Sequence, residues 1–182
     1  MIARGRRLSV AFALLLGGLL SLSAAWPVGE ARDALMPDLP ALQWATAGAA
    51  QAALSALGTP FERQGDLLRH AQGFVAQVDL DCTALWLAWL LIGGLVLFGL
   101  TGRRPPHRLM PAMALGAAMI LVVNQLRLVA MLWLGVHAPQ QFGWVHEWLS
   151  PLLLVALGGG YVAWAVGRAG RFSPLPRPSA RR

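Results

Sequence analysis

Four apolar runs alternate with short polar stretches along the chain. Residues 8–25, 82–100, 109–136 and 148–167 are each almost free of charge. Each is close to the roughly 20 residues that an α-helix needs to cross a hydrocarbon core about 30 Å thick. The polar stretches between them are residues 1–7, 26–81, 101–108, 137–147 and 168–182. This pattern predicts an all-α integral membrane protein of about four transmembrane helices. The first run also reads as a signal peptide, because Ser23-Ala24-Ala25 offers small residues for cleavage; a retained span is preferred. Residues 168–182, rich in Pro and Arg, read as a disordered tail.

The stretch 26–81 is the longest without a span. Within it, Ala41–Leu57 is uncharged and Ala-rich and is followed by Gly58 and Pro60, which predicts a helix with a defined stop. Gln43, Thr46, Gln51 and Ser55 make it polar enough to lie on the membrane surface or cap the bundle. Phe61–Asp81 holds two glycines and an alternation over Phe74-Val75-Ala76-Gln77-Val78-Asp79, compatible with a β-hairpin. In the 148–167 run, Ser150-Pro151 reads as an N-cap followed by proline at the first helical position.

Charge orients this plan. The chain is 57% hydrophobic and 13% charged, with a net charge of +7, and every basic residue counted is Arg. Eleven of the fifteen arginines fall in 1–7, 101–108 and 168–182, whereas all eight acidic residues fall in 26–81 and 137–147. The positive-inside rule then places both termini in the cytoplasm and the acidic segments outside the cell membrane. Arginines at the ends of apolar runs are topology determinants, so the basic balance does not call for nucleic acid. The single cysteine excludes an internal disulfide and a dithiol relay, and with them a quinone-linked thiol oxidoreductase.

Three polar residues stand out against this background. Cys82 opens the second run, Arg127 interrupts the third, and His146 lies just before the fourth. Arg127 follows the cytoplasmic start of its run by 18 residues, about 27 Å at 1.5 Å per residue, so it belongs to the outer leaflet with the other two. A cation within a span costs about 2.5–3.5 kcal/mol on the mildest scale. It either snorkels to the interface or faces the bundle interior. Asn124, three residues earlier on the same helical face, favours the interior. Cys82 is either a small buried apolar residue or a nucleophile. A helix N-terminus favours thiolate, while Asp81 opposes it and calls for a neighbouring cation. His146 is either a surface histidine or the base of a Cys–His pair. His137 is its rival in the same loop, and the histidine spacing fits no metal motif.

The segments Asp81-Cys82-Thr83-Ala84-Leu85, Asn124-Gln125-Leu126-Arg127-Leu128 and Gly143-Trp144-Val145-His146-Glu147 resemble the exosortase/archaeosortase family of membrane transpeptidases. The approach to the cysteine, with Leu57-Gly58, Gly65-Asp66-Leu67-Leu68 and Phe74-Val75, is similar too, so the resemblance covers about residues 45–164. Many members have about eight spans, so this chain is similar to the short subfamilies. The small or Gly position two after the cysteine is Ala84. The resemblance implies Cys82 as nucleophile, Arg127 as the cation holding thiolate and oxyanion, and His146 as acid and base. Asn124, Asp81 and Glu147 are supporting residues. It implies substrate proteins with a C-terminal tail made of a short motif (Pro-Glu-Pro in the best-known class), a transmembrane helix and a basic end, cut at the outer face of the inner membrane. No cofactor or metal is expected. The competing expectation is a non-enzymatic membrane scaffold of envelope or exopolysaccharide export.

Overall fold

The computed structural model describes residues 39–101 and 109–171. The expected first span, the cytoplasmic N-terminus, most of the basic 101–108 loop and the end of the tail lie outside the described residues.

Most of what is described is helical. Helix α1 is Pro40–Ala56, where Ala41–Leu57 was expected. Its proline sits at the first turn, where the missing N–H would have no partner in any case. Three residues of one face, Ala47, Ala50 and Leu54, are buried. Helix α2 is Leu85–Thr101 and helix α3 is Met110–His137. Helix α4, Pro139–Trp144, continues through a π-helical turn over Val145–Leu149 into helix α5, Ser150–Arg171. Two helical stretches, Met110–His137 and Pro139–Arg168, are long and apolar enough to cross a membrane. Helix α2 is more apolar than either but has only 17 residues, about 25 Å at 1.5 Å per residue.

Phe61–Asp81 forms three strands, one more than a hairpin. Strands β1 (Phe61–Gln64), β2 (Leu67–His70) and β3 (Val75–Gln77) make an antiparallel sheet in the order β1-β2-β3. Gln64 pairs with Leu67 across the two-residue turn Gly65-Asp66. Gly65 has φ +67° at the first central position, where a residue with a Cβ would be strained. The fold is therefore helical with a small sheet, and no longer strictly all-α.

Two further expectations are corrected. Residues 137–147 are almost entirely helical, because α3 ends at His137 and α4 begins at Pro139. Ser150 does not cap a helix. Its φ of −67° and ψ of −48° continue the helical path from the π-turn, and its hydroxyl is engaged elsewhere. Helix α5 also runs on to Arg171, into the stretch read as tail.

Two apolar clusters hold the molecule together. One joins α2, α3 and α5 around Leu91, Leu95, Ile120, Tyr161 and Val162. Gly116 lets Leu91 and Tyr161 pack directly on the α3 backbone, since a Cβ there would collide with both. The other seats α1 and the sheet on the later half of α3, through Leu54, Phe61, Leu68, Val78, Leu128 and Leu132. Gly135 admits the Phe74 ring in the same way. The cysteine lies on the margin of this second cluster.

Candidate active site

Cys82 does not open α2. It sits in a one-turn 3-10 helix, Asp81–Thr83, closed by Ala84 in the left-handed conformation (φ 53°, ψ 19°). Ala84 is the only non-glycine residue with positive φ among the described residues. A left-handed residue costs an L-amino acid about 1–2 kcal/mol, which is the physical reason for a small or Gly position two after the cysteine. The kink uncouples the cysteine turn from the α2 axis, so the argument from that helix's N-terminal dipole no longer applies. The local backbone is pinned instead by Asp79, whose Oδ1 accepts the Cys82 N–H at 2.9 Å, and by Thr83, whose hydroxyl donates to the Leu80 carbonyl at 2.6 Å.

Asn124 links this turn to α3. It is 1% exposed. Its Nδ2 donates to the Cys82 carbonyl at 2.6 Å, and its Oδ1 accepts from Arg127 Nη1 at 3.2 Å. A buried amide with both ends satisfied is a rigid spacer, because freeing either end costs the desolvation of an unpaired polar group. Arg127 is turned inward. Its Nε donates to the Ser150 hydroxyl, and its charge acts on both Cys82 and Asp79. The snorkelling alternative for Arg127 is thus replaced by a bonded position within the bundle. Gln125 completes the set, its Nε2 donating to the Thr46 carbonyl of α1 at 3.2 Å.

The Cys82 thiol, which precedes the α2 helix, is pushed up to about 12, first by burial and then by the Asp79 carboxylate, with Arg127 acting in the opposite direction. At rest it is a protonated thiol. The carboxylate responsible is Asp79, not Asp81. Asp81 is exposed, and its carbonyl accepts the Ala84 N–H.

Cys82, Asn124 and Arg127 are thus brought together. His146 is exposed in the π-helical turn, four residues before Ser150, with its ring stacked on Phe142 (centroids 5.5 Å apart, planes 6° apart). No hydrogen bond among the described residues joins it to Cys82 or Arg127. Its rival His137 stacks on Trp133, with Nδ1 paired to the Trp133 carbonyl at 2.9 Å. Glu147 is exposed beside His146. Asp79 and Ser150 are the residues that sequence reasoning missed as site members. Asp79 has the three-residue spacing of a side chain capping a backbone N–H. Ser150 is the one Ser or Thr in an otherwise apolar run. A separate cleft of about 300 Å³, lined by Leu95, Phe98, Leu115, Tyr161, Trp164 and Arg168, lies toward the other ends of the same helices.

The fold and site thus define a membrane protein with one cysteine held beside a fixed cation on a helical bundle. Residues 1–162 match the family model described as transmembrane exosortase, Exosortase_EpsH. The chain belongs to the transmembrane exosortase family, whose general activity is that of a membrane cysteine transpeptidase. Neither the curated proteins nor the solved structures contain a significant match.

Proposed function

We propose that this protein is a four-span, N-in/C-in cysteine transpeptidase that cleaves C-terminal sorting tails at the extracytoplasmic face of the inner membrane. The observation that carries this reading is the Asn124 bridge, which holds the Cys82 carbonyl and the Arg127 guanidinium from one buried side chain. A scaffold has no use for a cation kept beside a lone thiol.

In this reading Cys82 Sγ attacks the scissile carbonyl carbon and its proton passes to His146. Arg127 stabilises the oxyanion that forms, a preorganised charge in a dry site. The C–N bond then breaks, and the amine leaves with the proton from His146. The thioester is resolved when an acceptor nucleophile attacks the same carbon and the thiol is restored. Burial first, and the Asp79 carboxylate after it, keep the resting cysteine protonated, so attack on the carbonyl depends on proton transfer to His146. The substrates are proteins of the PEP-CTERM type, and their transmembrane helix would lie in lipid beside the bundle.

The test is Cys82→Ser and Cys82→Ala in the native host, with membrane accumulation followed by blot. The expected outcome is that proteins with a tripartite tail keep it in both mutants and lose it in the wild type. Equal trimming in all three strains would make the thiol structural and favour an assembly role in envelope or exopolysaccharide export.

A further inference from the structure

The register of the small sheet leaves one row of main-chain groups without a partner among the described residues. β2 and β3 pair Leu67 with Gln77, Leu68 with Ala76 and Arg69 with Val75. The flanking bonds run from the His70 N–H to the Phe74 carbonyl and from the Val78 N–H to the Asp66 carbonyl. Positions 74, 76 and 78 therefore turn their main-chain groups toward β2. By alternation, Val75 and Gln77 turn theirs away from it. No bond among the described residues uses those outward groups, and both residues are exposed.

A second path starts from the same end of the strand. Phe74, at the start of β3, meets Phe142 of α4 edge-on at 5.5 Å. From that contact the strand leads through Val78 and Asp79 to Cys82, and the helix leads through His146 to Ser150. The two paths meet again where Ser150 bonds Arg127 and Asn124 bonds Cys82. From Phe74 to Val78 is about 13 Å of strand at 3.3 Å per residue. From Phe142 to Ser150 is about 12 Å of helix at 1.5 Å per residue. The two paths start at the Phe74–Phe142 contact and end at the bonded series Cys82, Asn124, Arg127 and Ser150, with His146 midway along one and the outward groups of Val75 and Gln77 along the other.

We propose that the open edge of β3 is the substrate-binding edge: an extended peptide from the processed protein adds to it as a fourth strand, between β3 and the helix bearing His146, with its scissile bond delivered to Cys82. The proposal rests on the transpeptidase reading and specifies how that site holds its substrate. Strand addition uses main-chain bonds for affinity, which suits a peptide just outside its membrane helix. It also tolerates a Pro-x-Pro motif. Both prolines then lack an N–H on the side facing away from β3, and the residue between them pairs with the edge.

The experiment uses the full chain in membranes with a full-length tailed substrate. Proline at Val75 or Gln77 removes an outward N–H and none of the N–H groups bonded to β2. Val75→Pro should lower kcat/KM at least tenfold more than Val75→Ala, and Gln77→Pro at least tenfold more than Gln77→Ala, mainly through KM. Cys82 alkylation at its normal rate certifies the fold. Proline variants within twofold of their alanine counterparts would overturn the proposal. As an independent arm, a photoreactive benzoylphenylalanine at Val75 in Cys82→Ala should crosslink to the substrate segment preceding its membrane helix. A crosslink to residues 26–38 of the same chain, or to a second copy, would overturn it. Unaltered processing by Cys82→Ala alone would instead remove the transpeptidase reading, and the crosslink would still decide who occupies the edge.

Discussion

At the scale of single residues, the site depends on one amide. Replacing Asn124 with Leu removes the partner of the Cys82 carbonyl and of Arg127 together. A loss of about 1–3 kcal/mol is expected for each buried group left unpaired, read as a lower unfolding midpoint in detergent, with processing lost. Asn124→Asp is the sharper probe. It keeps an acceptor for Arg127 but turns a carboxylate oxygen against the Cys82 carbonyl, so it should fail although Arg127 remains paired. The thiol makes a second prediction. A group pushed up to about 12 is almost wholly protonated at neutral pH, and only the thiolate reacts. The rate of Cys82 alkylation should climb about tenfold per pH unit from pH 7 to 10 without a plateau. Asp79→Asn removes the carboxylate that raises the thiol and should speed alkylation at pH 8; a rate unchanged from wild type would show that Asp79 does not act on the thiol. Cys82, Asn124 and Arg127 were legible in the sequence because polar groups in an apolar run are conspicuous. Asp79 was not, because acidic residues are ordinary in an exposed segment and only its bond to Cys82 distinguishes it.

At the scale of elements, the later half of α3 organises the site. Its consecutive polar positions each hold a different neighbour: Asn124 the cysteine turn, Gln125 the α1 backbone and Arg127 the start of α5. The helical period spreads positions 124, 125 and 127 around the axis, so one short motif can clamp three elements. The left-handed link between the cysteine turn and α2 gives a stability test. Ala84 is 4% exposed, and a β-branched residue fits neither its φ of 53° nor its pocket. Ala84→Val should cost more than about 2 kcal/mol, whereas Ala84→Gly, which trades a buried methyl for relief of strain, should stay within about 1 kcal/mol of wild type in denaturant or thermal melts. The described helices follow the apolar runs of the sequence. The third strand and the helical path through 137–149 were not legible there, because short segments of mixed polarity take their conformation from what they pack against: Phe74 against Gly135, and Phe142 against Phe74.

At the scale of the whole molecule, the arginine clusters and acidic segments of the sequence predict a sidedness. In a Cys82→Ala background, a single cysteine at Arg69 should react with a membrane-impermeant maleimide in intact cells. One at Arg168 should react only after permeabilisation. The reverse pattern would invert the topology and put Cys82 on the cytoplasmic side. The tightness of the bundle has its own test at Gly116, where Leu91 and Tyr161 sit against the α3 backbone. Gly116→Val should lose about 1–3 kcal/mol through overpacking and should loosen α5 from α3, measured as a lower melting midpoint with the topology unchanged.

Apolar run lengths and arginine placement are one-dimensional quantities, and partition into a bilayer depends on little else, so membrane residence and the expected sidedness follow from composition along the chain. The three motif residues likewise stand out by the cost of placing them in apolar surroundings. Which polar atoms meet is a three-dimensional matter. The carboxylate beside the thiol, the serine that receives Arg127 and the outward edge of β3 are separated in sequence by up to 75 residues, Val75 to Ser150. The carboxylate and the serine come together only because the sheet, the cysteine turn and the start of α5 all close on the later half of α3, where a buried polar atom must find a partner from another element.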